Sequence, residues 1–250
     1  MGTMIELQSS KTFPVYLAKP EGEPRGGVIV IHEAWALNEH TKSIADRLAA
    51  EGYVALAPNL LSETDISKLP AEKLQEIQED LFNPDQEKRT AVQPKLRAMM
   101  APMQAPEFGK ETIEKLKVCF DHLYAMSEVN EKVAVWGFCF GGTYSFSLAI
   151  NEPRLKLSLP FYGGCDADVE ELKKIRCPVR AFYGEKDERL ITALPDLTKR
   201  MEEAGVDFES KVYPNAGHAF FNDSNPYAYV KDAAEDAWGR VLGLLREHLK

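Results

Sequence analysis

Long apolar runs, dense blocks of basic residues and closely spaced cysteine pairs are all missing from this chain of 250 residues. No run approaches the ~20 apolar residues that a membrane-spanning helix needs, and residues 1–10 lack the basic and apolar segments of a signal peptide. The net charge is −9, which argues against tight binding to nucleic acid. We therefore expect a cytoplasmic protein that binds neither a membrane nor a nucleic acid.

Cysteine is scarce and scattered: the chain has four. None of them forms a CxxC pair, so the sequence favours neither a disulfide framework nor a zinc site. This spacing indicates a reducing compartment, and we predict neither a metal nor another cofactor. The four residues are Cys119, Cys139, Cys165 and Cys177.

Strand-like apolar runs alternate with helical patterns along the whole chain, which is typical of a mainly parallel sheet with helices on both faces. The length suits a single α/β domain over residues 1–250. Strands are predicted at Met4–Leu7, Phe13–Ala18, Gly27–His32, Tyr53–Ala57, from Val133, and at Leu155–Tyr162, Val179–Tyr183 and Phe208–Tyr213. Helices are predicted after an N-cap at Asn38 or Thr41, and at Lys110–Ala125, Leu190–Ala204 and Tyr227–Leu249.

Residues 62–108 break this alternation, because they are charged, helix-forming and rich in proline. We expect helices that lie over the top of the sheet as a cap-like insertion. The prolines that should interrupt these helices are Pro70, Pro84, Pro94, Pro102 and Pro106.

Residues 133–142 carry the strongest chemical signal of the chain. A buried strand pattern leads into Gly137-Phe138-Cys139-Phe140-Gly141, and a helix pattern follows at once. This is the Gly-x-nucleophile-x-Gly elbow of α/β-hydrolases, with cysteine at the nucleophile position. The turn would aim the N–H of Phe140 at the nucleophile, where it favours negative charge. The alternative is a buried structural cysteine, since free cysteine is often found in cores.

A thiol nucleophile needs a base, and the base needs an orienting acid. His218 follows the predicted strand Phe208–Tyr213, whereas His248, the other histidine after Cys139, lies near the end of the last helix. Asp187 follows the preceding strand and is the predicted acid. Glu185 and Glu188 are rivals for that role, while Asp166 and Asp168 follow an earlier strand.

The chain resembles the dienelactone hydrolase family (carboxymethylenebutenolidases) from about Gly27 to the last helix. The resemblance rests on His32-Glu33-Ala34-Trp35 with Asn38, on residues 137–142, on Tyr183-Gly184-Glu185-Lys186-Asp187 and on Gly217-His218-Ala219-Phe220. It implies an α/β-hydrolase fold with Cys139 as nucleophile, His218 as base and Asp187 as its orienting acid. It also implies that Glu33 engages the resting thiol and moves when substrate binds, and that the N–H groups of Phe140 and Ala34 form the oxyanion hole.

The resemblance implies a small ester or lactone as substrate, hydrolysed through an acyl-enzyme by a monomer or small homo-oligomer. Aromatic residues are predicted to form an apolar wall for this substrate, namely Trp35, Phe138 and Phe221. The family pattern has a substrate-binding arginine four residues after the histidine, where this chain has Asn222. Arg89 or Arg97 in the cap segment is an alternative cation.

Two other functions fit the sequence. A hydrolase-like scaffold could bind or sense a ligand without turnover, although such a module needs no aligned aspartate and histidine. Redox chemistry at Cys139 would need a resolving cysteine, and Cys165 is the one that could approach it in space.

Overall fold

The computed structural model describes residues 1–250 and contains one sheet of eight strands. The strands are β1 (Thr3–Gln8), β2 (Thr12–Ala18), β3 (Gly27–Ile31), β4 (Val54–Pro58), β5 (Val133–Phe138), β6 (Leu157–Phe161), β7 (Val179–Gly184) and β8 (Phe208–Tyr213). Their order across the sheet is β1-β2-β4-β3-β5-β6-β7-β8. The β1–β2 and β2–β4 pairs are antiparallel and the other pairs are parallel, which confirms the predicted mainly parallel sheet.

Helices connect the strands. They are α1 (Glu39–Ala50), α2 (Ala71–Phe82), α3 (Gln86–Met100), α4 (Pro106–Tyr124), α5 (Phe140–Asn151), α6 (Val169–Leu172), α7 (Glu188–Glu203) and α8 (Lys231–His248). Asn38 caps α1 by accepting a 3.1 Å hydrogen bond from the Thr41 N–H, which settles the choice between these two residues. The single turn α6 was not predicted. No helix is long and apolar enough to cross a bilayer.

The centre of the sheet is buried on both faces. Every residue of β3, β4, β5 and β6 is buried, as expected for parallel strands that are covered by helices on both sides. One hydrophobic core of 60 residues surrounds them. Trp136 of β5 lies at its centre, with its ring centroid 5.0 Å from Phe138 and 5.3 Å from Phe161.

Residues 62–108 contain α2, α3 and two short 3-10 turns, so the predicted cap is helical. A separate small apolar cluster, Trp35, Ile77 and Val92, joins these helices to the loop after β3. Pro84 and Pro106 lie at helix starts, as predicted, but Pro94 lies inside α3. The predicted interruption at Pro94 was wrong. Pro94 lies on the exposed side of α3, where water can hydrogen-bond to the backbone carbonyl that loses its partner because proline has no N–H.

Candidate active site

The turn between β5 and α5 has the form that the glycine spacing predicts. The sheet register pairs Ile31 with Gly137, so the end of β3 passes directly beside this turn. A Cβ at Gly137 would lie 2.0 Å from the Gly141 carbonyl oxygen, and one at Gly141 would lie 2.3 Å from the Ile31 oxygen. Side chains at either position would therefore force the turn open, and Cys139 would lose its place.

Cys139 itself is held in a rarely populated backbone conformation, with φ 53° and ψ −109°. Its N–H donates to the Phe161 carbonyl at 2.9 Å, and its carbonyl accepts from the Thr143 N–H at 3.0 Å. Strain at a single non-glycine residue persists only where neighbouring bonds fix it, and such residues concentrate at functional sites. The two bonds hold the thiol at the carboxyl end of the sheet, at the start of α5.

His218 and Asp187 form a tight pair from the loops after β8 and β7. The Asp187 Oδ2 lies 2.5 Å from the His218 Nδ1, so the carboxylate accepts the Nδ1 proton and leaves Nε2 for the thiol. The two loops are joined by a 2.8 Å bond from the Lys186 N–H to the Ala216 carbonyl. The rival Glu185 is engaged elsewhere, since it accepts from the Asn215 N–H at 2.9 Å.

The electrostatics of His218 favour its protonated form. Burial alone would lower the pKa of this imidazole, but the neighbouring Cys139 and the Asp187 carboxylate outweigh it and raise the pKa. Asp187 stabilises the imidazolium by its hydrogen bond and its charge. Cys139 stabilises it as the thiolate that forms when the proton moves to His218. The arrangement therefore suits transfer of the thiol proton to His218.

Glu33 is buried, with an exposed fraction of 4%. Its Oε1 accepts from the Tyr162 hydroxyl at 3.1 Å and its Oε2 accepts from the Asn222 Nδ2 at 2.8 Å. No hydrogen bond joins Glu33 to Cys139 in this structure, although both line the same cavity, so the engagement of the resting thiol by Glu33 stays a prediction. Tyr162 remains a donor, because burial first and then the Glu33 charge raise the pKa of its hydroxyl.

Tyr162 and Asn222 were not predicted as partners of Glu33, because only the folded chain brings them to it. Tyr162 follows β6, and its neighbour Phe161 pairs with Phe138 of β5, so the sheet register places the phenol beside the elbow. Its φ of 37° is unfavourable for a bulky residue and turns its side chain toward the site. Asn222 is itself fixed, since its Oδ1 accepts from the Ser224 hydroxyl at 2.6 Å.

The two N–H groups predicted for the oxyanion hole, those of Phe140 and Ala34, have no hydrogen-bond acceptor in the chain. Phe140 is the first residue of α5, so its N–H has no acceptor within the helix. Ala34 lies outside the regular elements and donates no hydrogen bond to the rest of the chain. The loop before Ala34 is fixed by His32, whose Nε2 accepts from the Leu60 N–H at 3.1 Å. His32 therefore carries its proton on Nδ1 and donates it to the Glu33 carbonyl at 2.5 Å.

A cavity of about 230 Å³ opens between this site and the cap. Cys139, His218 and Ala34 meet there with Trp35, so the structure brings together residues that are far apart in the sequence. The remaining lining residues are Glu33, Ala219 and four apolar cap residues that the sequence did not single out, Leu81, Phe82, Leu96 and Met100.

Phe138 and Phe221 do not line this cavity, and their prediction as substrate contacts was wrong. Their exposed fractions are 1% and 3%, and their rings stack on each other with centroids 5.4 Å apart in the main core. The physical reason is that Phe138 ends a central strand whose two faces are both covered. Of the three predicted aromatic contacts, Trp35 lies at the cavity.

No group of three or more His, Cys, Asp or Glu side chains has an arrangement that would hold a metal ion. The possible resolving residue Cys165 is a free, buried thiol, and it does not line the cavity that holds Cys139. The groups that the structure places at the site are a thiol, an imidazole paired with a carboxylate, the Glu33 carboxylate and two backbone N–H groups.

Comparison with known proteins agrees with this geometry. The sequence model of the Dienelactone hydrolase family matches residues 13–249. A candidate carboxymethylenebutenolidase from Saccharolobus solfataricus is 37% identical over 92% of this chain and 92% of its own length. Among solved structures, a candidate dienelactone hydrolase from Klebsiella pneumoniae has a TM-score of 0.80 at 24% identity and covers 98% of both chains. A dienelactone hydrolase-like promiscuous phosphotriesterase from metagenomic libraries has a TM-score of 0.73 at 25% identity and covers 99% of this chain and 98% of its own.

Proposed function

This chain belongs to the Dienelactone hydrolase family, and we propose that it hydrolyses a carboxylic ester or lactone with the Cys139 thiol as nucleophile. The observation that carries the proposal is that Cys139, on its strained elbow, and His218 line one cavity, while Asp187 is bonded to the Nδ1 of His218. A nucleophile, a base and an orienting acid in this chain order are the machinery of covalent hydrolysis.

In the acylation step, His218 takes the thiol proton and the Cys139 sulfur attacks the carbonyl carbon of the substrate. The carbonyl electron pair moves to oxygen, and the resulting tetrahedral intermediate collapses as His218 gives its proton to the leaving oxygen. A thioester at Cys139 remains. In the second step, His218 takes a proton from water, the hydroxide attacks the thioester, and the thiolate leaves with the acid as product.

The oxyanion of both intermediates would be held by the N–H groups of Phe140 and Ala34. One such donor typically contributes about 3 kcal/mol of transition-state stabilisation. His32 is a positioning residue here, because its bonds to the Glu33 carbonyl and the Leu60 N–H fix the backbone that leads to Ala34.

A thiol nucleophile favours esters whose leaving group is acidic, such as enols and phenols. The tetrahedral intermediate expels its better leaving group, and a simple alkoxide leaves less readily than a thiolate, so alkyl esters would return to substrate. The proposed substrates are therefore activated esters and enol lactones.

The proposal is tested by comparing Cys139→Ala with Cys177→Ala on p-nitrophenyl acetate. Burial raises the pKa of the Cys177 thiol to about 12, so Cys177 stays a protonated core residue and serves as a matched control. We expect Cys139→Ala to lose at least about 1,000-fold in kcat/KM while it remains folded, and Cys177→Ala to retain turnover.

A second readout follows the covalent intermediate directly. Rapid quenching of the wild type during turnover should give a protein mass increased by one acetyl group, and this increase should be absent from Cys139→Ala. Full activity of the Cys139→Ala variant would eliminate the thiol mechanism. A folded wild type that turns over no activated ester would instead favour ligand binding without catalysis.

A further inference from the structure

We propose that the substrates of this site carry no carboxylate, and that the cavity discriminates against esters whose acyl group bears one. This inference rests on the proposed function and specifies its substrate class. The observation behind it is the charge of the cavity wall, in which no lysine or arginine takes part. The wall consists of apolar side chains except for the Cys139 thiol, His218 and Glu33.

Glu33 has no cationic partner. Its two oxygens are bonded to a phenol hydroxyl and to a side-chain amide, which are neutral donors, and it takes part in no salt bridge. Asp187 adds a second carboxylate behind His218. Transfer of the proton from Cys139 to His218 leaves the summed charge of Cys139, His218, Asp187 and Glu33 unchanged. The two carboxylates therefore keep the site negative throughout the reaction.

The two cap arginines that could have supplied a cation do not reach the cavity. Arg89 donates to the carbonyls of Asn83 and Pro84 at 2.5 and 2.7 Å, which ties it to the turn between α2 and α3. Arg97 is exposed on α3. Neither residue lines the cavity, so no lysine or arginine would pair with a carboxylate bound there, and His218, the one basic group of the wall, is already paired with Asp187.

A substrate carboxylate in this cavity would lose its hydration without gaining an ion pair, and it would also be repelled by Glu33. Burial of an unpaired charge is strongly unfavourable, while an apolar group of the same shape would gain from contact with the cap. The oxyanion does not share this cost, because it forms at the N–H groups and the start of α5. The discrimination therefore applies to the remote part of the acyl group.

The test uses three activated esters that share one methylene spacer: the p-nitrophenyl esters of 6-methylheptanoic acid, of adipic acid and of adipic acid monomethyl ester. The first has the shape of the charged adipate but is apolar, and the third is polar but neutral. The adipate chain is long enough to limit attack of its own carboxylate on the ester. We expect kcat/KM for the charged ester to be at least about 100-fold below that of both neutral esters.

Two matched cap variants then place a charge in the wall. Leu96 lies in α3, lines the cavity and has no part in the proposed chemistry. Leu96→Lys should reduce the preference for neutral esters at least about tenfold, because its ammonium can pair with the carboxylate. Leu96→Met is a neutral side chain of similar reach and should leave the preference as in the wild type.

The outcomes separate the two proposals. Turnover of all three esters with kcat/KM values within about threefold would overturn the substrate class while the thiol mechanism stands. An equal change of preference in both Leu96 variants would also contradict it, since charge would then not be the cause. Turnover of none of the three esters by the wild type would overturn both proposals together.

Discussion

At the scale of single residues, His32 shows how a buried histidine can serve the site without touching substrate. It is fully buried, and both ring nitrogens are bonded to the backbone, one to Glu33 and one to Leu60. Burial lowers the pKa of His32 to about 4, with the bond to the Glu33 carbonyl opposing this in part. The imidazole is therefore neutral at pH values where an exposed histidine would be charged.

This lowered pKa predicts a stability that declines in mild acid. Between pH 6.5 and about 4 the unfolded chain binds a proton at His32 while the folded chain does not. Stability should thus rise with pH across this window, and His32 should account for a loss of about 3 kcal/mol when pH falls through it. Urea unfolding at a series of pH values, for wild type and His32→Asn, measures the difference in slope.

The raised pKa of His218 changes stability with pH in the opposite direction. His218 is present in both wild type and His32→Asn, so its contribution cancels when their stabilities are subtracted. Equal slopes for wild type and His32→Asn would show that His32 protonates as readily in the folded state as in the unfolded chain.

The sequence predicts some of these residues better than others, for a physical reason. Cys139 and its flanking glycines can be recognised in the sequence, because a sharp turn restricts which residue types can occupy neighbouring positions. Tyr162 and Asn222 carry no such signal, since they reach Glu33 across 129 and 189 residues of chain. Phe138 was placed in the cavity wall because an aromatic residue beside a predicted nucleophile looks the same in sequence whether it faces a cavity or the core.

At the scale of elements, α5 and α8 contain glycines whose surroundings are opposite. Gly141 of α5 packs directly on the backbone of β3, whereas Gly239 of α8 is exposed, and a Cβ added there would meet no atom within 4 Å. Close packing of α5 is what places the thiol at the end of the sheet. The strands and the amphipathic helices were predicted well from the sequence, because burial of one or both faces of an element determines where its apolar residues fall.

This contrast predicts opposite outcomes for the same substitution. Gly141→Ala should prevent folding or cost several kcal/mol, because its Cβ would lie 2.3 Å from the Ile31 oxygen. Gly239→Ala should raise stability by roughly 0.5–1 kcal/mol, since alanine is the better helix former. Thermal unfolding of both variants checks the pair, and equal effects would contradict the close packing of α5.

At the scale of the whole molecule, the cap is held by a core of its own. Trp35, Ile77 and Val92 form a cluster that is separate from the main core of 60 residues. Such a small cluster can open without the sheet unfolding, because few apolar contacts have to be broken. The cap and the sheet should therefore differ in local stability.

Ile77→Ala tests this difference, with Val135→Ala of β5 as the matched core control. Loss of the Ile77 side chain should weaken the cap by about 2–4 kcal/mol and speed hydrogen exchange in α2 and α3. Exchange in β5 should be unchanged, whereas Val135→Ala should speed it across the sheet. Faster exchange in β5 of the Ile77 variant would show that cap and sheet unfold as one unit.

The order of the strands along the chain also has a consequence for the protein during its synthesis on the ribosome. Cys139 emerges in the middle of the chain, but Asp187 and His218 follow β7 and β8, which are the last strands to be added to one side of the sheet. A nascent chain that ends before residue 218 therefore has the Cys139 thiol without its proposed base. Under the proposed mechanism, the complete triad forms late in synthesis, and we expect a truncated product that folds through β6 to be inactive rather than partly active.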